Sequence, residues 1–329
     1  MKLGIDLFSL RFNDWDAFQH FEYAKRIGVE VVHFSELSPA TGSDEGYLTE
    51  MKQEADRIGL AIEVGMRSIC PTSTSFDPSA GSAPEQLAAM IRVASRLGSP
   101  GVRCFLGSNA DRRTPTPLAD HIAATVETCR AVRDLALDTG VKIAIENHAG
   151  DLQGRELAGL IEQAGPEFVG ACIDAGNPLW VAESPFTTLE HLAPYVVMSH
   201  IRDTAVWQHP DGAVAQWVAM GDGTVDITAW SKRYQELCPN TNFTLEIITT
   251  LPPKVLNYLD PDYWSVYSDT PAHEFVRFLA HVHAGRPYTE PALTANWGEL
   301  TTEVRAALAI EQQRQLEKSV RYCREVLGI

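Results

Sequence analysis

Eight short apolar runs, each separated from the next by a stretch of helical period, constrain this chain more than any other feature of it. The runs are KLGIDLF (from Lys2), EVVHFSE (from Glu30), AIEVGM (from Ala61), GVRCFL (from Gly101), KIAIEN (from Lys142), GACID (from Gly170), VVMSHI (from Val196) and FTLEII (from Phe243). Runs of this length and composition, alternating with amphipathic helices, make βα units around a parallel sheet. The intervening stretches read WDAFQHFEYAKRIG, EGYLTEMKQEADRIG, APEQLAAMIRVASRLG, PLADHIAATVETCRAVRDLALDTG, GRELAGLIEQAG, TTLEHLAP and DITAWSKRYQELC. Gly28, Gly59, Gly98 and Gly140 stand where a helix ends in left-handed glycine. Eight such units close into one (β/α)8 barrel, which needs about 250 residues. The 329 residues therefore predict an α/β fold, a single TIM-barrel domain over 1–329 with additions.

The regular pattern stops after Glu246, where a segment rich in Pro and aromatics (Pro252, Pro253, Tyr258, Tyr263, Trp264, Tyr267) intervenes before the closing QLEKSVRYCREVLG, expected as the helix of the eighth unit. Residues 249–300 thus read as an insertion between the last strand and the last helix, on the face where barrel active sites lie: a lid, a substrate wall or a docking segment for a partner. Charge narrows the partners, since 27 Lys+Arg against 43 Asp+Glu give −16, which repels phosphate backbones and anionic membranes. No run approaches the ~20 apolar residues of a membrane helix, and the N-terminal apolar stretch is too short for a signal region, so the expected location is the cytoplasm. The six cysteines are dispersed without a CxxC pair, as in reduced core residues.

Polar residues at strand ends are where a parallel barrel builds its chemistry. Glu146 closes KIAIEN, Asp174 closes GACID, His200 closes VVMSHI, and Glu246 sits in FTLEII. Three carboxylates and an imidazole form a hard donor set, suited to one Mn²⁺, Mg²⁺ or Co²⁺ with positions left for substrate oxygens, and unlike the closed thiolate or imidazole shells of structural zinc.

The segments IENHAGD, CIDAGNP, SHIRD, GDGTVDI and TLEII, in this order and each at a strand end, resemble the xylose-isomerase-like barrel group of sugar isomerases, epimerases, dehydratases and lyases over about residues 1–248 and the last helix. The resemblance implies that Glu146, Asp174, His200 and Glu246 bind one divalent metal, Mn²⁺ first, and that Glu146 and Glu246 flank the substrate carbon. It implies proton abstraction beside a sugar carbonyl: chelation of the carbonyl and its neighbouring hydroxyl stabilises an enediolate while a positioned base takes the proton. The chain departs from the ketose 3-epimerase pattern at Asn177, where some of those enzymes carry histidine, and in the offset of its arginine, since Arg202 and Asp203 follow His200 closely.

His148, two residues past Glu146, falls on the same side of the strand and is a candidate catalytic base or acid. With the aromatic insertion it favours a second reading, a lyase of the C-glycoside deglycosidase type that eliminates across a 3-keto-glycoside and works with a small partner subunit. Asn177, Arg202, His33 and Arg103 are candidate substrate contacts; His33, Glu36 and Arg103 suit pocket walls or a rim salt bridge, Arg202 and Asp203 an ion pair, and Asn177 a turn cap. His273, His281 and His283 read as a solvated helix face. Two rivals remain. An abasic-site endonuclease shares the barrel but needs a basic groove and more histidine ligands, and a metal-free barrel would serve sugar binding or assembly.

Overall fold

The computed structural model describes residues 1–37, 42, 44–296, 298 and 300–329, so Trp297 and Glu299 of the expected insertion lie outside the described residues. All eight expected strands form: β1 (Leu3–Asp6), β2 (Val31–Phe34), β3 (Ala61–Ser68), β4 (Gly101–Phe105), β5 (Lys142–Glu146), β6 (Val169–Asp174), β7 (Val196–His200) and β10 (Phe243–Leu245). They make one sheet in the order β10-β1-β2-β3-β4-β5-β6-β7, parallel throughout. A parallel bridge between Ile201 and Leu245 joins the ends, so the sheet closes into a (β/α)8 TIM barrel.

Helices wrap the outside because one stripe of each is apolar and must be buried against the sheet. The first, Ala17–Ile27, starts at a capping box between Asp16 and Gln19. Gly28, Gly59, Gly98 and Gly140 all have left-handed φ between +69° and +78°, as their positions in the sequence predict. The long stretch from Pro117 is two helices, Leu118–Ala131 and Arg133–Thr139, broken at Val132. The last helix runs Thr302–Tyr322, starting 13 residues ahead of the apolar pattern that announces it at Gln315, because its first turns are largely exposed.

Inside the barrel the period of two stacks one layer above another. Ala144, Cys172 and Met198 form a small apolar cluster of their own, and the next inward residue on each of those strands is Glu146, Asp174 or His200. All six cysteines are buried free thiols.

The additions to the barrel are two, not one. Between His200 and the following helix the chain makes a hairpin, β8 (Asp203–His209) and β9 (Gly212–Val218), and β11 (Lys254–Leu256) from the expected insertion pairs antiparallel with β9. The turn needs its glycine: Gly212 has φ +144°, and a Cβ there would stand 2.2 Å from the Leu256 carbonyl. The helix Ala272–Ala284 packs on this sheet, and Val206, Ala215, Leu256, Tyr263, Phe278 and Val282 bury one another in a second apolar cluster. His273 and His283 are exposed, whereas His281 is half-buried and shares a 2.9 Å hydrogen bond with Ser184 on the barrel side.

Candidate functional site

The ends of β5, β6 and β7 and the residue just past β10 place Glu146, Asp174, His200 and Glu246 around one point. One donor atom from each lies within 4.8 Å of every other, and all four side chains are buried. Asn147 ties two of these strand ends together: its amide donates to the Asp174 carbonyl at 3.0 Å, and its oxygen accepts from the Asp174 amide at 2.8 Å. The Asp174 carboxylate also accepts from the backbone of Gly176 and Asn177 at 2.6 and 2.7 Å, which fixes its rotamer.

Two guanidiniums counter the three acids. Arg103 forms a buried ion pair with Glu146. Arg202 bridges Asp174 and Glu246 and lies over the Trp217 ring, 4.3 Å from its centroid. Its partner is therefore not Asp203, whose carboxylate instead accepts from the amides of Gly221 and Gly223 at 3.0 Å each and holds the GDG turn. A Cβ on Gly223 would lie 1.9 Å from that carboxylate. Asn177 donates to Glu146 at 3.2 Å and leaves its own side-chain oxygen buried without a hydrogen bond.

His200 faces two ways. Its Nδ1 lies 3.3 Å from Glu146 and 3.6 Å from Glu246, while its Nε2 lies 3.1 Å from His33 Nδ1 and 3.4 Å from Asp6. Burial alone would lower its pKa, but Glu146 and Asp6 raise it to about 9. Burial and the neighbouring His200 push His33 down to about 3, so His33 accepts the proton that His200 Nε2 carries. Burial opposes ionisation of Glu146 as well, yet Arg103 and His200 hold its pKa well below the usual carboxylate range. Asp174 goes the other way: burial outweighs Arg202 and raises it.

The remaining expected residues sit around this cluster. His33 is fully buried between His200, Asp6 and Glu63. His148 stacks on Phe105, with centroids 3.9 Å apart, and its Nδ1 lies 2.8 Å from the Gly107 carbonyl. A carbonyl only accepts, so Nδ1 carries the proton and Nε2 keeps its lone pair. Burial lowers the His148 pKa to about 4. Glu36 reaches Arg67 at 4.0 Å on the rim.

Three contributors escape a reading by strand-end acids alone. Asp6 ends β1 and obeys the same rule, but its run continues into the apolar Leu7 and Phe8 and masks the end. Glu63 sits in mid-strand, bonded to Asn242 and Thr244 at the far end of β10. Asp151 accepts from the amides of Gly107, His148 and Leu152 and so shapes the loop that carries His148.

Residues 21–258 match the xylose isomerase-like TIM barrel family. The chain belongs to it. No curated protein matches the sequence. Among solved structures, this xylose isomerase-like barrel is similar to the D-psicose 3-epimerase of Clostridium cellulolyticum H10 solved with D-tagatose, at 15% identity and TM-score 0.64 over 99% of both chains. It is also similar to a xylose isomerase domain protein from Planctomyces limnophilus, at 19% identity and TM-score 0.57 over 74% of this chain and 89% of that one. A third neighbour is the IOLI protein with a bound zinc atom, at 15% identity and TM-score 0.59 over 85% and 96%. At such identities these likenesses describe the fold.

The donor set of the barrel fits a divalent cation. Glu246 Oε2, already against Arg202, and His200 Nδ1, 3.3 Å from Glu146, both face the common point. Three carboxylates converging in a buried space are costly unless positive charge meets them, and oxygen-rich donors of mixed carboxylate and imidazole suit Mn²⁺, Mg²⁺ or Co²⁺.

Proposed function

We propose that this chain is a divalent-metal-dependent carbohydrate enzyme that removes a proton next to a sugar carbonyl, of the keto-sugar isomerase or epimerase type. The observation that carries the reading is the convergence of Glu146, Asp174, His200 and Glu246, buried, with donor atoms within 4.8 Å of one another at the barrel's C-terminal end. The D-psicose and L-ribulose 3-epimerases among its structural neighbours support the same class.

Glu146, Asp174, His200 and Glu246 would hold the ion, with Mn²⁺ first and Mg²⁺ or Co²⁺ as alternatives. When bound, it would polarise the carbonyl and make the adjacent carbon acidic. The chain's own groups do the rest. Glu246 takes the proton on its carboxylate and returns it to the neighbouring carbon or the opposite face. Arg202, already against Glu246 and Asp174, neutralises charge and positions substrate oxygens. His148 Nε2, whose lone pair is kept free by the Nδ1 contact to Gly107, serves a second proton transfer. Asn177 and Arg103 hold Glu146 in place.

One observation favours a second reading, β-elimination from a 3-keto-(C-)glycoside with help from a small subunit. Trp217 stacks on Trp180, with centroids 4.3 Å apart, directly beside Arg202, so an apolar aromatic wall of the kind that suits an aglycone adjoins the charged cluster. In either reading residues 249–300 act as a lid or docking segment over the mouth.

The test is solvent deuterium exchange into the substrate α-carbon over a panel of keto-sugars and keto-glycosides, with metal content measured on the same sample. Exchange that depends on the metal and is lost in Glu246→Gln supports the proposal, and release of an aglycone selects the lyase. Purified protein with no stoichiometric divalent ion, and a melt indifferent to chelator, would favour a sugar-binding or assembly barrel instead.

A further inference from the structure

Beyond the charged cluster, the second face of the tryptophan pair carries its own cation. Trp180 and Trp217 lie nearly parallel, 9° apart; Arg202 covers the outer face of Trp217, and Lys254 Nζ covers Trp180 at 4.1 Å from its centroid. The two cations differ in one respect. Arg202 has carboxylates on it, whereas Lys254, among the described residues, has none within 4.0 Å.

Lys254 opens onto a cavity of about 100 Å³, room for several waters or one small polyatomic anion. Arg113 lines the same cavity and also has no carboxylate within 4.0 Å among the described residues. Asn109 and Asn257 add amide donors, and no acid is among the lining residues, although acids outnumber bases 43 to 27 in the chain. Tyr263, 5% exposed, lines the cavity with its hydroxyl buried and without a hydrogen-bond partner. A half-buried ammonium and a guanidinium lining one small space with no acid among its walls suit a compact anion with several acceptor oxygens. Burial without a counter-ion also draws the Lys254 pKa down to about 8, a cost that a bound anion would relieve.

We infer that this cavity is an oxyanion-binding site, charged by Lys254 and Arg113 and walled in part by Tyr263, that takes a phosphate or carboxylate group. It lies on the far side of the two indoles from Arg202 and does not depend on which reaction the charged cluster performs. Lys and Arg supply the charge, and the cavity volume sets the size of the group.

Isothermal titration with inorganic phosphate, and separately with acetate, tests it on the full chain. The expected result is saturable one-to-one binding of at least one of the two. Affinity should fall about tenfold or more in both Lys254→Met and Arg113→Gln, the effect of one lost charge-assisted hydrogen bond, and stay at the wild-type value in Lys232→Met, which removes an exposed lysine elsewhere. Tighter phosphate binding assigns the site to phosphate monoesters, and tighter acetate binding to carboxylates. Absence of saturable binding by either anion overturns the proposal, as does wild-type affinity in the two cavity variants or an equal loss in Lys232→Met. Melts without anion check folding. Should Lys254→Met fail to fold, Arg113→Gln, whose side chain is exposed, decides the question.

Discussion

The two halves of the barrel mouth are built from the same kind of unit and do different work. On one side β5, β6, β7 and the end of β10 display Glu146, Asp174, His200 and Glu246 to a common point. On the other, β1, β2 and β4 offer Asp6, His33 and Arg103, whose polar atoms are directed at the displayed residues: Asp6 and His33 at the far nitrogen of His200, Arg103 at Glu146. A donor aimed at a shared cation keeps its geometry only when its other side is held, as the partners of metal-ligating histidines show generally. In the proposed reaction the displaying half would set the chemistry and the holding half its precision.

Substitutions on each side should separate these roles. The largest effect belongs to the displaying half: Glu246→Gln is expected to lower proton exchange at the substrate carbon by about 10²- to 10⁴-fold, read by mass spectrometry in deuterated solvent, and retained exchange would remove Glu246 from the proton transfer. In the holding half, Arg103→Met removes the guanidinium paired with buried Glu146 and leaves only His200 and Asn177 beside it. Removing one partner of a buried pair costs about 3–5 kcal/mol, so denaturant unfolding in chelator should show that loss and added divalent ion should recover part of it.

Behind the holding half, His20 on the first helix is 8% exposed, and burial lowers its pKa from 6.5 to about 4. Because the folded value is the lower one, the unfolded chain takes up the proton first on acidification. Its contribution is therefore intact above about pH 6.5 and is lost as the pH falls towards 4, by roughly 3 kcal/mol. His20→Gln should flatten that part of the acid limb relative to wild type, and identical slopes would refute the assignment. The smallest effect is expected from Asp6→Asn, which weakens the hold on His200: metal affinity should drop about 10- to 100-fold in a chelator competition with the fold unchanged. An unaltered affinity would mean that His33 alone orients the ring.

Much of this architecture is legible in the sequence because a buried parallel strand must be apolar nearly throughout, so Glu146, Asp174 and His200 stand out at the ends of KIAIEN, GACID and VVMSHI. The helix ends are legible at Gly28, Gly59, Gly98 and Gly140 because only glycine takes the left-handed turn without cost. Asp6 and His33 are harder to see, since their role is a contact to His200 from strands distant in sequence and no local pattern encodes it. The β8–β9 hairpin is different: PDG between two alternating runs is a recognisable turn signal, but the barrel pattern on either side draws attention to the next helix. Sequence adjacency suggests Asp203 as the charge partner of Arg202; the alternation of the strand instead sends the two side chains to opposite faces.

The barrel's seam runs between two of its donors. β7 and β10 meet through one bridge, with Ile201 donating to Thr244 at 2.8 Å and Glu246 donating back to Ile201 at 2.9 Å, so His200 and Glu246 stand on opposite lips of the thinnest join in the wall. A cation gripped by both lips would act as a clasp, and by linkage the energy that holds the ion must also resist parting of the staves. Amide hydrogen exchange at Ile201 and Glu246 should then slow on metal loading more than exchange at the middle of β5, making the closure of the cylinder itself a gauge of occupancy.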